Sequence, residues 1–457
     1  MKAKDIQHLF WRAGFGENPK TFQRNTYKNR SQVVNDLFLR SNSYHELQID
    51  TTDLNHFKDI SLLQNKAKRM EFRKLTIEKF KEYNMLWVNR LMNSDQVLRE
   101  RMTLFWANHF VCRDTNIFHV PQYNNTLRMH ALGHFGDFVK AISKEASMLK
   151  YLNNKQNRKQ KPNENFAREL MELFTLGEGH YTEEDIKESA RAFTGYNHNI
   201  GGEFVFRRIH HDYGFKSFLG HTGRYDGDDI IDIILEQKQC ARFICKKIYS
   251  YFVNDIIDED KVEELTTVFY KDYNIENVMR HLFLSDWFYD KKHIGSKIKS
   301  PIEFLVGMVQ TVPVNFNSPK DVLKIQKLLG QVLLDPPNVA GWKGGRSWID
   351  SNTMMLRLKL PSIILANAKI SIKEKGAFED SFKRYYSSPK NNRFVNVDVD
   401  WKTFEVSYGN RSYEELKQHL IVPQISNGTE SYLKTLSQNS KRDYVVQLMS
   451  LPEYQMC

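Results

Sequence analysis

The stretch NENFARELMELFTLGEGHYTEEDIKESARAFTGY (163–196) constrains this chain more than any other, because it spells out two helices together with their stops. At about 100° per residue, Phe166, Leu170, Leu173 and Phe174 fall on one apolar arc that must find a partner to bury against. The second helix opens on Thr182 as N-cap, places Glu183, Glu184 and Asp185 in its first turn and ends at Gly195. The same period recurs in 66–92, with Phe72, Leu75, Phe80 and Trp87 as apolar positions, and in DQVLRERMTLFWANHFV (95–111), for which Asp95 is the expected cap. Ser300, Pro301 and Glu303 supply a cap, a first-turn proline and a capping-box acid for another helix. Only 22 Gly and 12 Pro interrupt 457 residues, too few for a many-turned β architecture. The expected fold is therefore mostly α.

Two regions break the helical rhythm. EFVFRR and FKSFLG flank HHDYG, which predicts a small β-hairpin insertion near 203–219. After LLGQVLLDPPNVAGWKGGRSWI the chain turns basic and irregular, and SSPKNNRFVNVDVDWK (387–402) reads as a linker. The expected organisation is a large helical domain over 1–370. Residues 371–457 come after it as a basic linker and a small C-terminal helical extension, packed on the main domain.

Apolar residues at 41% and charged residues at 26% describe a globular chain. The four cysteines, Cys112, Cys240, Cys245 and Cys457, are too scattered for a disulfide framework or a cysteine zinc site. No run approaches the ~18 apolar residues of a membrane span. The N-terminal MKAKDIQHLFWRAGFG is amphipathic, with His8 and Arg12 where a signal peptide would be apolar, so a cytoplasmic location is expected. The +11 net charge permits an anionic partner. The basic stretch 150–161 carries a single aromatic, Tyr151, and reads as a solvated loop, so nucleic acid is not an expected partner. No HExxH, Walker A, GxSxG or dinucleotide motif occurs, and YDGDDIIDIILE lacks EF-hand spacing.

Three clusters can carry chemistry. On the polar arc of 163–177, Asn165, Glu169 and Glu172 lie at i, i+4 and i+7, with Arg168 at the edge and four residues from both Glu164 and Glu172. The i, i+3 acids repel unless solvated, paired, protonated or bound to a cation. His109 belongs to the stripe Leu98, Met102, Phe105, His109, so it is either a core histidine bonded to a carbonyl or a base or ligand facing a polar pocket. His211 and Asp212 sit beside Lys216, where Asp212 either orients a histidine or shapes a turn. In NVAGWKGGRSW, Trp342 either stacks a planar ligand or pins a tight loop.

In order along the chain, QHLFWRAGFG, RMTLFWANHF, the 163–196 block, HHDYGFKSFLG, LLGQVLLDPPNVAGWKGGRSW and LPEYQ resemble a large bacterial family, domain of unknown function 1800. The resemblance covers nearly the whole chain. Its pattern includes His109, Asn163, Glu164, Asn165, Arg168, Glu169, Glu172 and the His211–Asp212 pair. It implies no settled activity. Many relatives carry export signals and are encoded beside a sulfatase-like companion; this chain instead begins at its first helix.

The leading expectation is an enzyme of hydrolytic or metal-assisted type. Glu169 or Glu172 serves as base or cation ligand, and His109 or His211–Asp212 as acid, base or ligand. Arg168 pairs an anionic group, Asn165 orients substrate or water, and Trp342 and Lys216 contact substrate. A divalent metal is compatible with these groups. The competing expectation is a non-enzymatic scaffold in which the same charges form an ion-pair network and the aromatic loop docks a partner.

Overall fold

The caps written in the sequence set most helix boundaries. In the computed structural model, which describes residues 1–17, 19–368, 395–436 and 440–457, the Lys66–Asn93 helix starts on the Asn65 side chain. Thr182 with Asp185, Asp226 with Asp229 and Ser300 with Glu303 close capping boxes on Glu183–Ala192, Gly227–Leu235 and Pro301–Thr311. Apart from three two-stranded antiparallel sheets, the regular structure of the described residues is helical. None of these helices is long and apolar enough to cross a membrane.

The helix Val97–His109 departs from its expected start. Its N-cap is Gln96 rather than Asp95, and no side chain caps it. Tertiary contacts hold it instead, because it is buried on nearly every side, including Arg99, Glu100 and Arg101. The Arg99 guanidinium donates to Ser41 O (2.8 Å) and Asn42 O (3.2 Å), where the Arg30–Ser41 helix ends. It also donates to Arg128 O (2.7 Å) and Met129 O (3.1 Å), closing the Val120–Met129 helix. One guanidinium thus satisfies the orphan carbonyls of two helix ends. Glu100 takes the Arg128 guanidinium at 2.7 Å, both side chains being fully buried.

The β insertion is larger than a single hairpin at 203–219. Tyr196–His198 pairs with Phe204–Phe206, and Lys216–Phe218 pairs with His221–Gly223. HHDYG joins the two hairpins rather than forming a tip. The left-handed Gly195 (φ +85°) turns the chain sharply out of the preceding helix, so Tyr196 already lies in a strand. Leu219 and Gly220, both with positive φ, form the tight turn of the second hairpin.

The segment read as a linker at 387–402 contains a strand: Val397–Val399 pairs with Val314–Phe316. Alternating Val397 and Val399 find an edge there that no local pattern announces. The remainder of the expected linker, through residue 394, lies outside the described residues. Two large apolar cores result, with a small third cluster of Trp11, Val422 and Cys457. The first gathers Leu98, Phe105, Trp106, Phe174 and Ile248; the second joins Trp87 and Leu305 to Phe404, Leu416, Leu448 and Tyr454 from the C-terminal helices. The last residues return to the centre, where Lys297 and Cys457 exchange backbone hydrogen bonds (2.8 and 3.1 Å).

Candidate functional site

The 163–177 segment is where sequence and structure differ most usefully. Its first turns are α-helical, Asn165–Glu169, but Leu170–Thr175 widens into a π-helix. Leu176 and Gly177 both donate to Met171 O (2.8 and 3.0 Å), and Thr175 Oγ1 donates to Leu170 O (2.6 Å). The extra residue in the turn rotates the side chains out of the expected α-helical register. Met171 becomes fully buried, and Leu173, expected in the apolar arc, is only half-buried. The end of the segment also presents its carbonyls inward. Leu173 O accepts from Lys247 Nζ (2.9 Å), Phe174 O from His109 Nε2 (3.0 Å) and Leu176 O from Gln239 Nε2 (2.9 Å).

The opposite face carries the predicted acids. Arg168 does not bridge Glu172. It forks onto Glu183 (2.9 Å to each oxygen) and touches Glu164 (3.4 Å), and these partners hold its charge firmly. Glu172 accepts from the Tyr181 hydroxyl at 3.1 Å, which together with burial pushes that phenol up to about 12. Glu169 is half-buried, and burial with the neighbouring Glu172 charge raises its carboxyl. Asn165 is exposed. The preceding loop, read as solvated, has a buried anchor. Asn157 receives Asn163 N (2.9 Å) and donates to Ala190 O (2.7 Å), fixing where the segment begins.

His211, Asp212 and Lys216 form a third, separate place. His211 is buried, donates from Nδ1 to Thr194 O (2.9 Å), and is held neutral by burial. Asp212 is taken by Arg191 (2.8 Å), which keeps its carboxyl low, and by Gly214 N (2.8 Å). Lys216 is buried and donates to Asp212 O (2.7 Å) and Gly214 O (3.2 Å). Asp212 therefore orients an arginine rather than a histidine, and the cluster knits the connector between the hairpins.

His109 and Trp342 do share a place. Both line a cleft of about 250 Å³ between the Val97–His109 helix, the Lys238–Phe252 helix, the start of Pro301–Thr311 and the glycine-tryptophan loop. Asn108 clamps that loop, donating to Trp342 O (3.0 Å) and accepting from Trp342 N (2.7 Å). Gly341 (φ +75°) makes this approach possible, since a Cβ there would stand 2.2 Å from Asn108 Oδ1. Gly345 (φ +54°) also passes close to Asp255, its Cβ position lying 3.0 Å from the carboxylate.

The cleft is rich in cations that burial penalises. Lys247 projects into it, and with no carboxylate paired to it among the described residues, desolvation lowers its amine to about 8. Lys297 pairs with Asp255 and donates to Ser250 O (2.7 Å), yet burial still lowers it. Glu303 is bound to buried Arg101, whose guanidinium lies 4.7 Å from the Tyr251 ring centre. Deeper still, Lys299 sits between the Trp11 and Tyr454 rings (3.6 and 3.8 Å) and is lowered to about 7 by burial. Arg357 is lowered to about 10 for the same reason. Arg101 Nε and Nη1, Arg12 Nε and Arg357 Nη1 are buried donors without a partner among the described residues. His109 donates from Nε2, so Nδ1 carries a lone pair, buried and without a partner among the described residues; burial and Lys247 keep the ring neutral. Among the described residues, no three His, Cys, Asp or Glu side chains are grouped to hold a metal ion.

The sequence reading singled out His109 and Trp342 but passed over Lys247, Lys297, Asp255 and Arg101, and treated Glu303 only as a cap. The available signal was the charge triplet Arg99–Glu100–Arg101 inside an otherwise apolar helix, since such charges are buried only when paired.

Fold and site together define a mostly α-helical protein with a glycine-tryptophan loop over a cationic interior cleft. Residues 8–456 match the family described as Protein of unknown function (DUF1800), and the chain belongs to that family. No curated protein and no solved structure matches it.

Proposed function

We propose that this protein binds a small molecule bearing an anionic group, in the cleft under the glycine-tryptophan loop. The observation that carries this reading is that Lys247 lines the cavity with only the Leu173 carbonyl as its hydrogen-bond partner and no carboxylate paired to it among the described residues. A buried ammonium without an anion is costly, and a ligand anion removes that cost. Exposed Lys343 at the rim adds attraction, and Trp342, Tyr251 and Phe105 supply apolar walls. Phosphate, sulfate and simple carboxylates, titrated against salt-matched chloride, should raise the melting temperature as ligands that bind only the folded state do. Lys247→Met should weaken binding by about tenfold or more, equivalent to ~1.4 kcal/mol. Equal stabilisation of wild type and Lys247→Met would end the proposal. Binding should also fade as pH rises through about 8, where the Lys247 ammonium is lost.

A second reading keeps acid–base chemistry, of hydrolytic type, on the outer face of the π segment. One observation favours it: Glu169 is half-buried beside Glu172, is not paired by Arg168 and has a raised carboxyl, as a proton donor needs. Glu169→Gln and Glu172→Gln should then abolish turnover of any substrate found while leaving anion binding in the cleft intact. Unchanged turnover in both variants would remove this reading.

A further inference from the structure

The basic loop before residue 163 and the connector between the two hairpins lie side by side. Lys159 N donates to His210 O (2.8 Å), Gly195 N to Asn157 O (3.0 Å) and Arg207 N to Gly195 O (2.8 Å). Lys155, Arg158, Lys159 and Lys161 on the loop are exposed, as are Arg207 and Arg208 on the connector. Burial and the Arg207 charge lower the Lys155 amine, so cations of the two segments stand close together. The acids nearby are already engaged. Arg191 takes Glu188 and Asp212, Arg168 takes Glu164 and Glu183, and Asn199 donates to Glu203 (2.7 Å), which leaves the six cations without an ion pair among the described residues. The same connector holds apolar side chains in water. Of the eighteen large apolar side chains exposed among the described residues, five fall within 205–215: Val205, Phe206, Ile209, Tyr213 and Phe215. Ile209 is 75% exposed, Phe215 64% and Tyr213 57%, and Arg224 lies over the Phe215 ring at 5.1 Å. Their mount is firm, because His211 and Lys216 beneath them are buried and bonded to backbone carbonyls. Exposed apolar side chains gathered in one place and rimmed by charge mark an interaction surface.

We propose that this face docks on an anionic lipid bilayer, with the six cations at the headgroups and Ile209, Tyr213 and Phe215 entering the boundary between headgroups and acyl chains. Charge complementarity selects an anionic partner, since clustered lysines and arginines are drawn to acidic lipid surfaces. A second copy of the chain does not fit, because a twofold contact would set these cations against themselves. Lipid is favoured over nucleic acid by the side chain that stands out furthest. Ile209 is aliphatic and gains by leaving water for an acyl boundary, whereas bases stack on aromatic rings, and the Phe215 ring already carries Arg224 on one face. The attachment is peripheral and needs no spanning helix. It is independent of the anion site in the cleft, which other elements build.

The test is cosedimentation of the full chain with sucrose-loaded vesicles, made of phosphatidylcholine alone or with ~30% phosphatidylserine. The wild-type chain should bind the anionic vesicles at least about tenfold more tightly than the neutral ones, and less tightly as salt rises. Equal binding to both, or none to the anionic vesicles, overturns the inference. Lys155→Gln, Arg158→Gln, Arg207→Gln and Arg208→Gln combined should weaken binding by about a hundredfold or more, at roughly fivefold per cation. Ile209→Ser with Phe215→Ser should weaken it by about tenfold or more. All of these side chains are exposed, so both variants should fold, which circular dichroism and the melting temperature check. Wild-type affinity in either folded variant overturns the inference. A single-stranded oligonucleotide or polyglutamate, added at the same concentration of charge as the lipid, should leave most of the chain on the vesicles. Displacement by the oligonucleotide would assign the face to nucleic acid, displacement by polyglutamate to an acidic protein, and either would overturn the bilayer.

Discussion

The two faces of the 165–175 segment treat charge in opposite ways. Outside, Glu164, Arg168 and Glu183 pair in partly exposed positions, where water screens them and each contact is worth little. Inside, the same turns offer only carbonyl oxygens, and they hold a buried histidine and a lysine that lines a cavity. The outer face has more charged residues. The inner face has more uncompensated charge. Density of ionisable residues therefore marks the place where helices are tied together, whereas under-compensated burial marks the place where a ligand would lower the energy.

The contrast can be broken most forcefully behind the cleft. Glu303→Gln leaves the buried Arg101 guanidinium unpaired and should cost ~3–5 kcal/mol in urea unfolding. A loss under ~1 kcal/mol would mean that this interior is wetter than the burial of both side chains implies. Next in size, Gly341→Ala must strain a positive φ and push Asn108 away, so a loss of about 1–3 kcal/mol is expected together with weakened anion binding. Intact binding in a destabilised Gly341→Ala protein would detach the loop from the site.

Lys247→Met sharpens the comparison through pH. The folded-state amine titrates near 8 and the unfolded one near ~10.4, so the unfolded chain binds more protons between those values. Wild-type stability should accordingly rise with pH through that window relative to Lys247→Met, by on the order of 1–2 kcal/mol after allowance for solvent screening. Parallel pH curves for the two proteins would show that Lys247 is not penalised by burial. The smallest effect belongs to the outer face: Arg168→Ala should cost at most ~1 kcal/mol and leave anion affinity unchanged. A larger loss would return weight to the scaffold reading of that network.

Legibility in the sequence tracked the range of the interaction involved. Thr182, Asp226 and Ser300 cap their helices as their residue types and neighbours require, because a capping box closes within four residues. Gly195 was legible as a stop, but its positive φ also starts a hairpin, and that depends on the Phe204–Phe206 strand finding it. His109 was readable as a core histidine or as a pocket residue; its ring is buried, Nε2 holds a carbonyl and Nδ1 is enclosed, while the residue lies at the wall of the cleft. Asp212 was readable as a histidine-orienting acid or as a turn former with Gly214, and it does accept from Gly214 N. Arg191 reached it first, from a helix that the spacing of HHDYG says nothing about.

The sequence by itself determined a helical body, its punctuation, the family, and the residue that brings the Val97–His109 helix to the cleft. Those rest on periodicity and on hydrogen bonds closed within a few residues, which any compact packing must respect. Tertiary structure decided which charges share a cavity. Lys247, Asp255, Lys297 and Glu303 come from separated segments and meet Trp342 only after folding. Whether each is neutralised depends on partners dozens of residues away, and on one widened turn that aims two carbonyls at the cleft wall.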